Sequence, residues 1–271
     1  MKKRALRAFV CLALCFTLAG PAYATESGVT VTVNGTAIET GFASQVLNNQ
    51  TYVSYLPIVS ALYPDATAVW ANNQAEVTAP GLKLCIKPEA KYIVANGRYL
   101  YVPDGVKVDG AHILVPVRTL CQALGATVTW DDATSTITIA AGSGPIASGD
   151  SFYNSTDLYW LSRIIYAESG NQSLEGKIAV GNVVLNRVAS SLFPNSVYDV
   201  IFQRNQFTPA SSGSINRVPS EDAVIAAKLC LDGANTADNA LYFVNPKASP
   251  NSWASRNCTY VATIGAHAFF A

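Results

Sequence analysis

A glutamate on an apolar helix face is the residue of this 271-residue chain best placed by its spacing to do chemistry. Glu168 falls seven residues after Leu161, four after Ile164 and three after Ile165. On a helix that spacing turns a side chain toward the face carrying Leu158, Leu161, Ile164 and Ile165. A carboxyl so placed is either desolvated, which raises its pKa and equips it as a general acid near neutral pH, or an ordinary glutamate in water at a frayed helix end. The dipole at a helix C-terminus also disfavours the anion. Spacing alone leaves both readings open. Glu175, the other candidate carboxyl, lies in the first turn of the next helix, where the dipole stabilises any glutamate, so a structural role is favoured. Among the remaining acids, Asp157, Asp199, Glu221, Asp222, Asp232 and Asp238, several read as helix-start residues.

Other chemistries fail on inventory. A zinc amidase needs about three ligands, usually histidines, and the chain holds only His112 and His267, in different halves. No metal and no cofactor is expected. A cysteine–histidine hydrolase would need Cys230 or Cys258 to meet His267, and neither cysteine occupies an evident activating position.

These groups must be held by an exported protein. Lys2, Lys3, Arg4 and Arg7 precede an apolar run from Ala8 to Gly20 and then Ala22-Tyr23-Ala24, the pattern of a secretion signal over 1–24. Its removal takes four of the 18 basic residues and none of the 18 acidic ones, leaving 14 against 18 and a formal charge of −4. Such a balance offers no electrostatic footprint for nucleic acid. No other stretch approaches the roughly 18 apolar residues of a membrane span, so a secreted monomer without a span after signal removal is expected. Four cysteines then remain. Export permits disulfides, and pairing within each half, Cys85 with Cys121 and Cys230 with Cys258, is set against four free thiols. About 245 mature residues suffice for two domains.

The first of these, over 27–141, contains an internal repeat. Val33-Asn34-Gly35 recurs as Ala95-Asn96-Gly97 and Thr51-Tyr52-Val53 as Ile113-Leu114-Val115, both at an offset of 62 residues. Trp70 recurs as Trp130 at an offset of 60, because Pro64-Asp65 is inserted in the first copy. Each copy reads as short strands, a helix (56–63 and 116–124) and a two-stranded ribbon, clearest where 127–130 and 136–139 alternate about Asp131-Asp132. This predicts one α+β domain of two similar units. Trp70 and Trp130 could stack on sugars, but their repeated position after a strand favours core packing.

Residues 142–150 are mostly small, too small to bury much apolar surface, read as a loose linker, and imply halves able to act independently. The second half, 151–271, predicts helices over 157–169 capped by Ser155 or Thr156, over 174–187 capped by Ser173, over 196–202, and over 221–231 capped by Ser220. Strand-like runs at 240–244 and 259–264 follow, giving a mainly helical domain with a small sheet.

Two resemblances add to this reading. Val115-Pro116-Val117-Arg118, Leu120, Leu124-Gly125-Ala126 and Val128-Thr129-Trp130-Asp131 resemble the N-terminal domain of copper amine oxidases, found on exported envelope proteins. Copper does not carry over, since His112 is the only histidine there and imidazoles are its usual ligands. The segment Tyr166 to Arg187, YAESGNQSLEGKIAVGNVVLNR, resembles the signature of the spore cortex-lytic cell wall hydrolases, the SleB and CwlJ group. Further matches follow in order: Phe193-Pro194, Val200-Ile201-Phe202, Gln206-Phe207-Thr208, Ala240 to Phe243, Asn245-Pro246, Trp253, and Ile264-Gly265 with His267 and Phe269. The resemblance implies a lysozyme-like fold, peptidoglycan glycan strands as partner, and Glu168 as the catalytic glutamate. Glu168-Ser169 also resembles the Glu-Ser pair of lytic transglycosylases. The family often carries a second glutamate four residues on; here that place is Gln172, which leaves Glu175 as the only nearby substitute. The implied reaction is a single-acid transglycosylation giving a 1,6-anhydro sugar, with a two-carboxylate muramidase or a non-catalytic wall-binding protein as the alternatives. Ser169, Gln206, Tyr242, Asn245, Trp253 and His267 are candidate substrate-binding residues.

Overall fold

The computed structural model describes residues 29–41 and 44–271. The expected export signal lies outside the described residues. Among them the first half forms three antiparallel or mixed sheets and two helices, α1 (Tyr55–Leu62) and α2 (Val117–Leu124). The two repeat units are intertwined. Strands Gln50–Ser54 and His112–Pro116, equivalent in the two copies, pair antiparallel with Val53 opposite Val115. The opening strand Thr30–Val33 lies parallel to the last one, Thr136–Ala141. Neither unit therefore has a core of its own, which is why a repeat of about sixty residues builds one domain. Both Asn-Gly turns are left-handed at both positions, with φ of 51° and 80° at Asn34-Gly35 and 50° and 79° at Asn96-Gly97, as tight hairpins demand. Leu84, Ile86, Ile93, Leu114, Leu120 and Ile139 fill the core.

The tryptophans are not in that core. Trp70 is 61% exposed and Trp130 44%, which corrects the packing expectation. Each sits on the outermost strand of its sheet, Thr67–Ala71 and Ala126–Asp131, where a face is left uncovered.

Residues 142–150 are held in place, against the expectation of a loose linker. Asn96 Nδ2 donates to the Ile146 carbonyl at 2.8 Å, and the Gly149 N–H donates to the Asn96 carbonyl at 2.8 Å. A Cβ on Gly149 would sit 2.6 Å from the Gly97 oxygen. Smallness, which suggested disorder, is what lets this backbone approach the turn.

After the short α3 (Gly149–Phe152), the second half runs through α4 (Ser155–Ser169), α5 (Leu174–Ala189), α6 (Val197–Phe202), α7 (Thr208–Ser212), α8 (Glu221–Leu231) and α9 (Trp253–Asn257). A three-stranded antiparallel sheet closes it, with His267–Phe270 between Tyr242–Val244 and Tyr260–Ile264. Helices α4, α5 and α8 pack together through Leu161, Ile164, Ile165, Ile178, Val184 and Ala226. Gly181 lets α5 meet α8, since a Cβ there would be 2.6 Å from Cys230 Sγ.

The four cysteines are free thiols, so the pairing expectation is corrected. On strand Leu82–Ile86 the residues Leu82, Leu84 and Ile86 face the core and Cys85 faces the other way, while Cys121 is buried inside that core on α2. Burial pushes the Cys121 thiol up to about 12. Cys230 is locked between α5 and α8, whereas Cys258 packs in a separate small cluster with Ala254 and Phe270.

The halves meet in a shared interface. Tyr92, Tyr99 and Tyr101 pack on the core of the second half. Arg98 ion-pairs with Asp232, which also accepts a hydrogen bond from the Tyr153 hydroxyl. The guanidinium of Arg98 lies 3.3 Å from the Phe152 ring centroid. Lys91 ion-pairs with Glu175. The implication that the halves act independently is therefore corrected: buried charge and aromatic surface on each side are satisfied by the other.

Candidate active site

The helix α4 is started by Asn154, not by Ser155 or Thr156. Asn154 Oδ1 accepts the N–H groups of Thr156 at 2.9 Å and Asp157 at 3.1 Å. Its extended backbone places it one residue outside the helix, the usual geometry of such a cap. From there, Leu161, Ile164 and Ile165 are fully buried, and Glu168 follows on the same face near the helix end. Desolvation by burial raises the Glu168 pKa. Among the described residues no charged group or hydrogen bond offsets it, so of the two readings left open by spacing the structure has the desolvated one.

Ser169 is fully buried and its hydroxyl donates to the Ile165 carbonyl at 2.7 Å. It closes the last turn of α4 and has no free face for a substrate. Glu175 is in a different situation from Glu168. Burial raises its pKa, but the hydrogen bond and charge of Lys91, with its own backbone and Ser173, outweigh that and leave it below the ordinary value. Ser173 caps α5 by accepting the Gly176 N–H at 3.3 Å.

Gln172 bridges the turn between these helices to the sheet. Its Oε1 accepts the Ala266 N–H at 2.9 Å, and Gly265, at φ 59°, lies directly over it. That bond fixes the turn leading into His267. His267 is buried on the central strand, its ring 5.2 Å from that of Phe243, and burial lowers its pKa. Its Nδ1 is buried without a partner among the described residues.

Tyr242 and Trp253 come together, with ring centroids 5.4 Å apart, and Trp253 is 58% exposed. Asn245 is occupied locally: its Oδ1 accepts the Lys247 and Ala248 N–H groups at 3.0 and 3.3 Å. Gln206 is exposed, in a turn just before the buried Phe207.

Sequence reasoning missed Arg187. It is buried on α5, its Nε donates to the Leu241 carbonyl at 2.7 Å, and its guanidinium lies 4.9, 5.2 and 5.4 Å from the rings of Phe193, Phe207 and Tyr242. Burial lowers its pKa to about 10. The signal was present: Arg187 follows Val180, Val183 and Val184 by seven, four and three residues, the spacing that singled out Glu168. Cation–π contacts compensate the buried charge and tie Tyr242 to the helical core.

Comparison with known proteins came to the same two regions. Residues 171–270 match the family described as Cell Wall Hydrolase, and residues 32–142 match the Copper amine oxidase N-terminal domain. The first match begins three residues after Glu168. The spore cortex-lytic enzyme of Bacillus cereus is 35% identical over 117 residues, 43% of this chain and 45% of that protein. The spore cortex-lytic enzyme of Bacillus subtilis (strain 168) is 34% identical over 117 residues, 43% of this chain and 38% of that one. The solved catalytic domain of the germination-specific lytic transglycosylase SleB from Bacillus anthracis is 33% identical, with a TM-score of 0.42, covering 46% of this chain and 100% of that one. The chain spans less than half the length of the curated relatives it matches.

Proposed function

We propose that this chain, built from a copper amine oxidase N-terminal-type domain and a cell wall hydrolase domain, is an exported enzyme that cleaves peptidoglycan glycan strands by lytic transglycosylation. Its parts are a signal over 1–24, domains over 27–141 and 151–271, and the segment 142–150 joining them. The catalytic domain is lysozyme-like and Glu168 is its acid and base. The observation that carries this reading is the contrast between two carboxyls: Glu168 is desolvated without a counter-charge among the described residues, while Glu175, the nearest substitute for a second catalytic glutamate, is taken by Lys91.

A buried glutamate with a raised pKa is protonated at the pH where it must act. Its proton goes to the glycosidic oxygen between N-acetylmuramic acid and N-acetylglucosamine as that bond breaks. The resulting carboxylate then takes the proton of the muramic acid 6-hydroxyl, whose oxygen bonds to its own anomeric carbon. No water is consumed and the product is a 1,6-anhydro sugar. Ordinary hydrolysis requires a second carboxylate as nucleophile or as activator of water. Gln172, at the place of the family's second glutamate, is engaged with the Ala266 N–H. Tyr242 and Trp253 are suited to stack on sugar rings, with Gln206 at the same domain's surface.

Digestion of purified cell walls and of spore cortex, followed by mass spectrometry of the released fragments, tests this. Anhydro-muramic ends are expected. Fragments carrying only reducing muramic ends would reject the transglycosylase step in favour of a muramidase, and no release from any wall would favour a binding protein.

A further inference from the structure

Arg187 is kept on α5 at an energetic cost. It is buried, its Nη1 has no partner among the described residues, and neither ion pair among those residues involves it. A buried guanidinium without a carboxylate is disfavoured where an apolar side chain of similar volume would not be. Packing alone does not call for arginine here.

What the guanidinium supplies is direction. Its Nε donates to the Leu241 carbonyl at 2.7 Å, while the Leu241 N–H donates to the Phe270 carbonyl at 2.8 Å, so the backbone entering Tyr242 is fixed from both sides. Asn186, the preceding residue of α5, holds the Ala240 carbonyl at 2.9 Å. The same guanidinium lies against the rings of Phe193, Phe207 and Tyr242, and Phe193 stands 6.1 Å from Tyr242. A lysine ammonium has neither the fork nor the flat face to do both. The half-buried Tyr242 ring is thereby held in one orientation, and it meets the exposed ring of Trp253 at an angle of 66°.

Rings fixed in advance bind a sugar face without giving up rotamer freedom at that moment. We propose that Arg187 is a positioning residue for substrate binding: it fixes Tyr242, and through it Trp253, as a glycan subsite set apart from the bond that breaks. The inference rests on the reading of the chain as one that acts on glycan strands. The separation follows from the sheet. The chain runs from Ala266, held by Gln172 in the turn after α4, to Phe270, opposite Tyr242, and these four residue steps span about 13 Å. The effect of Arg187 therefore belongs to binding and not to the chemistry at Glu168.

The test is a double-mutant cycle on the full chain, read by calorimetric titration with soluble, peptide-free peptidoglycan strands in a Glu168→Gln background, so that strands are not cut during the measurement. Arg187→Met and Trp253→Ala should each weaken binding about tenfold. The double variant should bind within about twofold of the weaker single one, because both changes disable the same subsite. A side chain that only supports the fold would give losses that multiply to about a hundredfold; that result, or binding by Arg187→Met within about twofold of its parent, would overturn the proposal. Thermal melting shows whether Arg187→Met folds. If it does not, Arg187→Lys, which keeps the charge and loses the fork, is expected to weaken binding about threefold, and parent-like binding by that variant would equally overturn it. With Glu168 intact, Arg187→Met should raise KM for the same strands about tenfold and leave kcat within about twofold. A chain that cuts walls but is indifferent to Arg187 loses only this inference; one that binds through Arg187 without cutting loses only the catalytic reading; one that does neither loses both.

Discussion

Two glutamates flank the turn between α4 and α5, seven residues apart in sequence, and their surroundings are opposites. Glu168 lies at the end of a helix, is desolvated and faces no cation among the described residues, so its proton is held more tightly than usual. Glu175 begins a helix, meets Lys91 across the domain interface, and holds its proton less tightly. The same residue type becomes an acid in one place and a structural anion in the other. What separates them is not burial, which acts on both in the same direction, but whether a positive charge answers it.

The largest effect expected from this contrast is on activity. Glu168→Gln should lower fragment release from purified walls by about 10²- to 10⁴-fold, the usual cost of removing a general acid. Glu175→Gln should leave release within about threefold of the parent, because a partly exposed ion pair contributes little. Comparable losses in both variants would dissolve the distinction.

Next in size is the stability of the interface that holds Glu175. The side chains of Arg98 and Asp232 are 11% and 1% exposed, against 44% and 25% for Lys91 and Glu175. Asp232→Ala strands a buried guanidinium and should cost about 3–5 kcal/mol in urea denaturation. Lys91→Ala should cost less than about 1 kcal/mol. If the two were equal, the pairs would not differ in burial as described.

A smaller effect separates the two glutamates by pH. Release should fall as pH rises through the raised pKa of Glu168, since only the protonated form donates, and Glu175→Gln should give a parallel profile. A profile that shifts with Glu175 instead would make that residue the acid.

The smallest is a stability difference of opposite sign at the two positions. A carboxyl whose folded pKa is raised stabilises the fold fully below its unfolded pKa and loses that contribution as pH rises through the folded value. Glu168→Gln should therefore melt higher than the parent at neutral pH and approach it in acid. Glu175, with a lowered pKa, contributes above its unfolded pKa and loses this as pH falls through the folded one, so Lys91→Ala should flatten the acid side of the melting curve. Thermal melts across pH would show both.

Much of this was legible beforehand where the signal is local. Apolar periodicity placed α4, α5 and α8 within a few residues, and Ser173 caps as expected, whereas Ser220 precedes α8 without a side-chain cap bond. The Asn-Gly turns and the ribbon around Asp131-Asp132 also follow from local chemistry. Legibility ended where partners are distant. The tryptophans were expected inside because a repeated position suggests a repeated core contact, yet strand order put them on sheet edges. Arg187 went unnoticed because a basic residue near a helix end has a sufficient local explanation. His267 was a candidate for substrate binding from its place in the motif, but it lies buried on the central strand of the small sheet, paired with Ile264.

By itself the sequence determined which residues share a helix face, where turns fall, and that Glu168 lies beside apolar neighbours, since these depend on spacing along one chain. Whether that carboxyl meets water or a cation, and whether four thiols meet each other, are matters of what comes from elsewhere in the fold. Lys91 lies eighty-four residues before Glu175, and no periodicity links them. Solvation and charge pairing are properties of a volume, and only the tertiary structure says what occupies it.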